Sequence, residues 1–70
     1  MGEAMIQVNG VAHPLAGMPL LQALERLGYD TAAAGIAVAR NEAIVPRSQW
    51  AETTLQAGDR LELVGAVQGG

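Results

Sequence analysis

Met5-Ile6-Gln7-Val8-Asn9-Gly10-Val11-Ala12-His13-Pro14-Leu15, followed after a short loop by Pro19-Leu20-Leu21-Gln22-Ala23-Leu24-Glu25-Arg26-Leu27-Gly28, decides the fold. In the first stretch the side-chain period is two, with Ile6 and Val8 on one face and Met5 and Gln7 on the other, as in a strand. Asn9-Gly10 then predicts a type I′ hairpin turn, because both central residues of that turn need positive φ and Asn and Gly tolerate it. Val11 to Leu15 is the returning strand. Pro14 has no N–H to give a ladder, which places that strand at an edge or marks its end. In the second stretch the period changes to 3.6. Leu20, Ala23, Leu24 and Leu27 form one apolar stripe flanked by Leu21, with Gln22, Glu25 and Arg26 turned to water. Pro19 suits the first helical turn, and Gly28 suits the left-handed position that closes the last one.

Outward from this βα start, Ala16-Gly17-Met18 is a loop and Tyr29 to Gly35 a second one. Ile36-Ala37-Val38-Ala39 reads as a strand, Asn41-Glu42-Ala43 as a turn, and Ile44-Val45 as a short strand stopped by Pro46. Arg47 to Leu55 is irregular, with a helical turn within Ser48 to Leu55. Ala57-Gly58-Asp59 turns the chain into a last strand, Leu61 to Val64, with Leu61 and Leu63 inward and Arg60, Glu62 and Val64 outward. The order ββαβββ predicts an α+β domain, a sheet of about five strands packed on one helix. The domain is expected over 1–64, with residues 1–4 as a leader and 65–70 as a flexible tail.

Seventy residues fill one domain and leave no room for an enclosed active site. Thirteen are Ala, and Tyr29 and Trp50 are the only aromatic residues, so the core is aliphatic. The absence of Cys excludes disulfides, thiolate metal sites and a Cys nucleophile. Seven acidic residues against four scattered arginines, with no Lys, give a net charge of −3 and no basic footprint for nucleic acid. No apolar run approaches the length of a membrane span, and the first four residues lack the features of a signal peptide. The expected location is the cytoplasm.

A catalytic constellation is not visible. His13 lacks a partner in the sequence pattern and reads as an ordinary exposed or half-buried histidine. Glu25 with Arg26, and Asp59 with Arg60, read as solvated charges. No phosphate-cradling motif occurs among the glycines. No catalytic, metal or cofactor-binding residue is therefore assigned.

The last two residues, Gly69-Gly70, carry the chemistry that remains. Without a Cβ beside the α-carboxylate, a nucleotide α-phosphate can approach the oxygen, and a sulfur nucleophile can then reach the activated carbonyl. That carboxylate is ionised at neutral pH, with a reference pKa of about 3.3 to 3.7. Extended, Gly65-Ala66-Val67-Gln68-Gly69-Gly70 spans about 20 Å, enough to enter a partner's buried site. On the dipeptide alone, a frayed end is an equal alternative.

Ala37-Val38-Ala39, Ile44-Val45-Pro46-Arg47-Ser48-Gln49-Trp50, Gly58-Asp59-Arg60-Leu61-Glu62-Leu63 and Ala66-Val67-Gln68-Gly69-Gly70 together resemble the sulfur carriers of thiamine biosynthesis, the ThiS family. The resemblance covers nearly the whole chain after residue 4. It departs at Ala39-Arg40-Asn41, where such carriers often have Val-Asn or similar; Arg40 there would alter a partner contact, and the carrier chemistry would not depend on it. It implies a ubiquitin-like β-grasp fold with the first and last strands parallel at the sheet centre. It also implies a carrier, not an enzyme. A ThiF-type adenylyltransferase uses ATP and magnesium to make a Gly70 acyl-adenylate. A sulfur donor such as a cysteine desulfurase system converts this to a thiocarboxylate, and the thiazole synthase ThiG consumes the sulfur. The chain itself would bind no cofactor and would be monomeric when alone. Residues 65–69 would thread into partner sites, and Trp50, Arg47 and Val64 are candidate partner contacts. For Trp50 the first reading is packing over the core. The alternatives are a molybdopterin-synthase small subunit, a β-grasp interaction module without carrier chemistry, and a modifier conjugated to amines.

Overall fold

A computed structural model describes residues 4–32 and 35–65. The chain forms β1 (Ile6–Val8), β2 (Val11–His13), α1 (Leu20–Arg26), β3 (Ile36–Arg40), β4 (Ala43–Ile44), a 3₁₀ helix (Arg47–Glu52) and β5 (Arg60–Gly65). One five-stranded sheet has the order β2-β1-β5-β3-β4. β1 and β5 are parallel at its centre, while the β1–β2, β3–β5 and β3–β4 pairs are antiparallel. This mixed sheet with one α-helix is the α+β arrangement that the ββαβββ order anticipates.

The hairpin forms as its turn residues require: Asn9 and Gly10 have φ of 50° and 87°, and Val8 faces Val11 across the turn. β2 stops at His13, before the proline that cannot extend it. Pro19 differs in detail from the expectation. It caps α1 from just outside, in an extended conformation, and bridges Thr54 instead of occupying the first helical turn. The first helical N–H, from Leu20, is satisfied by the Thr53 carbonyl at 2.7 Å. At the other end Gly28 N–H bonds the Glu25 carbonyl, Tyr29 N–H bonds the Leu24 carbonyl, and Gly28 has φ of 92°. These are the paired bonds of a Schellman closure.

The core lies between α1 and the inner face of the sheet. Ile6 and Val8, Val38, and Leu61 and Leu63 meet Leu20, Ala23 and Leu24 from the helix, with Leu15, Leu55 and Trp50 completing it. The alternation of β5 follows the expected phase, with Leu61 and Leu63 buried and Arg60, Glu62 and Val64 exposed. The segment expected to be irregular contains the 3₁₀ helix, which drops Trp50 into the core. Strand boundaries also shift: β3 extends through Arg40, the β3–β4 turn shrinks to Asn41-Glu42, and β4 begins at Ala43. β5 extends from Arg60 to Gly65, which pairs with Ile36, so Gly65 belongs to the sheet and not to the tail.

Candidate functional site

The tail residues Ala66, Val67, Gln68, Gly69 and Gly70 lie outside the described residues. The strand from which they continue is β5, central in the sheet and paired on both sides. Its pairing with β3 reaches the strand's last residue through Ala37↔Val64 and Ile36↔Gly65. Residue 66 therefore follows directly from a strand that is paired on both sides.

Register also defines the outer face of the sheet beside that strand. Ala39 pairs with both Glu62 and Ile44, and Ala37 pairs with Val64, so these five side chains share the face opposite the core. Val64 and Ile44 are 68% and 70% exposed, large apolar side chains flanking small alanines. Val64 is outward, as the alternation of the last strand predicts. The outward face of Ile44 was not legible in the sequence: a two-residue strand has too little alternation to reveal it.

Trp50 is 2% exposed, with its indole N–H donating to the Val45 carbonyl at 2.9 Å. Its ring is part of the core cluster, so it offers no docking surface. Arg47 remains exposed but is turned onto this ring. Its guanidinium carbon sits 4.7 Å from the Trp50 ring centroid, and the group also donates to the Thr31 carbonyl. Arg47 consequently covers the indole and ties the 3₁₀ helix to the loop after α1.

Asp59 corrects the expectation of a solvated charge. It is 6% exposed and accepts hydrogen bonds from Arg40 Nε at 2.9 Å, Asn41 Nδ2 at 3.1 Å and Gln56 N–H at 2.9 Å. Burial alone raises its pKa, but the Gln56 N–H, the Asn41 amide and the Arg40 guanidinium outweigh that effect and hold it below the usual carboxylate value. Asn41 also accepts from Arg60 N–H, so the network joins the β3–β4 turn to the start of β5. With both oxygens engaged, Asp59 is built to hold turns together and is a poor general base. Arg40 is its ionic partner. Among the described residues, no group of three or more His, Asp or Glu side chains is placed to hold a metal ion. Nor is any described helix long and apolar enough to cross a membrane.

A parallel central pair, a crossing helix and antiparallel flanks define the β-grasp class of small α+β protein. The crystal structure of a thiamine biosynthesis protein (ThiS) from Geobacter metallireducens has the same fold, with a TM-score of 0.76 at 23% identity, covering 94% of this chain and 99% of that one. The sequence narrows the class. The model of the ThiS family matches residues 6–70. The sulfur carrier protein ThiS of Escherichia coli is 44% identical over 55 residues, covering 79% of this chain and 80% of its own. The sulfur carrier protein ThiS of Thermus thermophilus is 35% identical over 66 residues, covering 94% of this chain and all of its own. The chain belongs to the ThiS family of sulfur carrier proteins.

Proposed function

We propose that this chain carries sulfur for thiamine thiazole synthesis as a thiocarboxylate on Gly70. The observation that carries this reading is the extent of the family match, which runs through the diglycine to residue 70. In the first step a carboxylate oxygen of Gly70 attacks the α-phosphorus of ATP, bound with magnesium by an adenylyltransferase. The bond to the β-phosphate breaks, and pyrophosphate leaves. A donor delivering sulfur at the sulfide level then attacks the acyl carbon, and AMP leaves. The resulting anionic sulfur is the nucleophile that a thiazole synthase uses. Activation is needed because a bare carboxylate resists attack, whereas AMP is a good leaving group.

The chain's own contribution is presentation. Glycine at both final positions leaves the carbonyl open to phosphate and sulfur, and residues 66–69 thread the end into a partner's site. The outer sheet face around Val64 and Ile44 is the proposed seat for the adenylating enzyme. An enzyme that receives Gly70 must approach the end of β5, and the exposed apolar residues lie on that strand and its neighbours. Trp50 has no part in that surface, and Arg47 lies over the indole.

Incubation with the adenylyltransferase, magnesium and ATP tests the reading by pyrophosphate release. Release is expected from the full chain and not from one lacking Gly70, with both chains giving the same thermal unfolding curve. Equal release from the shortened chain would refute the assignment. Stable amide adducts on other proteins would favour the modifier alternative.

A further inference from the structure

Asn9 makes two separable contributions to the fold. Its backbone forms the first corner of the β1–β2 turn with positive φ. Its side chain reaches β5, where Oδ1 accepts the Leu63 N–H at 2.9 Å and Nδ2 donates to the Leu63 carbonyl at 3.4 Å. The backbone ladder between β1 and β5 includes Gln7 N–H to the Asp59 carbonyl and Asn9 N–H to the Leu61 carbonyl, each at 2.9 Å. Its strand register covers Gln7↔Arg60 and Val8↔Leu61. Beyond Asn9 the chain turns back into β2, so its backbone no longer runs alongside Leu63. A primary carboxamide carries the same donor and acceptor as a peptide group. Here it occupies the position of the next rung.

We propose that Asn9 is a positioning residue for the reactive tail, its carboxamide adding one rung to the β1–β5 ladder and fixing where the chain leaves the sheet toward Gly70. The proposal rests on the reading of Gly70 as the sulfur-bearing end. With the rung in place, β5 is held at Leu63 by Asn9 on one edge and by β3 on the other. Without it, the last residues of β5 are held by β3. A groove whose lining includes Gln7, Asn9, Arg60, Leu61, Glu62 and Val64 runs beside this segment. A partner docked on the outer face must align the Gly70 carboxylate with a phosphorus atom, and small misplacements of reacting groups are costly in rate. The rung therefore acts on turnover, while the docking face around Ile44 and Val64 governs partner affinity.

Two variants separate the rung from the turn. Asn9→Gly keeps a residue suited to positive φ and removes the side chain; Asn9→Asp keeps an acceptor for Leu63 N–H and loses the donor. Amide exchange by NMR is measured on the free chain, and carrier kcat and KM are measured by pyrophosphate release with the adenylyltransferase, magnesium and ATP. In Asn9→Gly the Leu63 amide should exchange at least about tenfold faster while the interior β3 amides keep their rates. The kcat should fall about three- to tenfold at unchanged KM, with Asn9→Asp intermediate. Unchanged Leu63 exchange would refute the rung, and unchanged kcat would refute its effect on the tail. A change confined to KM would make Asn9 a docking residue and overturn the proposal. Failure of the wild-type chain to release pyrophosphate would overturn the carrier reading and the tail role with it, while Leu63 exchange would still report on the rung itself.

Discussion

Replacing Asp59 by Ala should be among the most damaging single changes away from the apolar core. The substitution strands Arg40, whose Nε lies 2.9 Å from the carboxylate, and removes the acceptor for Gln56 N–H and the Asn41 amide. Breaking a fully buried ion pair by removing one partner costs about 3–5 kcal/mol. The Asp59 side chain is 8% exposed, but that of Arg40 is 32% exposed, so the stranded guanidinium recovers some hydration. That lowers the expected loss to about 2–3 kcal/mol. A domain of this length has a total stability of about 4–10 kcal/mol, so the loss is a large fraction of it. At about 4–8 °C per kcal/mol, Tm should fall by roughly 10–20 °C. Urea unfolding followed by fluorescence of Trp50, the sole tryptophan and a core residue, measures the change. A double-mutant cycle with Arg40→Ala should give a coupling of at least about 1 kcal/mol. The pH dependence has a definite sign. Because the folded-state pKa lies below the unfolded value, the contribution of Asp59 is complete above about pH 4 and disappears as pH falls through the folded pKa. Asp59→Asn should therefore remove part of the acid sensitivity. A loss below about 0.5 kcal/mol at neutral pH, within the usual range for surface changes, would refute this account of the network.

Other perturbations probe different levels. Glu42 has φ of 74° in the β3–β4 turn, and its contact with Arg60 is an exposed one at 3.7 Å, so Glu42→Gly should raise stability by about 1 kcal/mol in urea unfolding. A decrease would show that the Glu42 side chain matters more than its backbone strain. Trp50→Ala should cost about 3–5 kcal/mol and lower Tm by more than about 10 °C by circular dichroism, whereas a near-native melting curve would contradict its place in the core. Val64→Asp and Ile44→Asp should leave stability within about 0.5 kcal/mol while raising the carrier KM for adenylation severalfold. An unchanged KM in both would move the docking surface elsewhere.

Local signals transmitted well from sequence to fold. Asn9-Gly10 dictated its turn because few residue pairs accept two consecutive positive φ values. The Leu20, Ala23, Leu24 stripe and the closing Gly28 defined α1, and the Leu61/Leu63 alternation set the face of β5. What escaped depends on partners distant along the chain. Asp59 beside Arg60 looks like a surface pair, but its ionic partner is Arg40, brought alongside by the β3–β5 pairing. Pro19 lies outside the helix because an isolated bridge to Thr54 holds it extended. Gly65 looked like the start of a tail because its place in the sheet depends on Ile36. Asn9 announced the turn, while nothing near it in the sequence revealed the second role of its carboxamide at Leu63. The role proposed for the tail rests on a different kind of signal, the absence of a side chain at the final two residues.

The central claim concerns one atom at the end of the chain. The most direct measurement is the intact mass after incubation with the adenylyltransferase, magnesium, ATP and a sulfide-level donor, followed by fragmentation to place the change. The account predicts a gain equal to one oxygen-to-sulfur exchange, located on Gly70 and absent without ATP. An unchanged mass with partner enzymes that are active on a known sulfur carrier, or a gain located on any other residue, would contradict it.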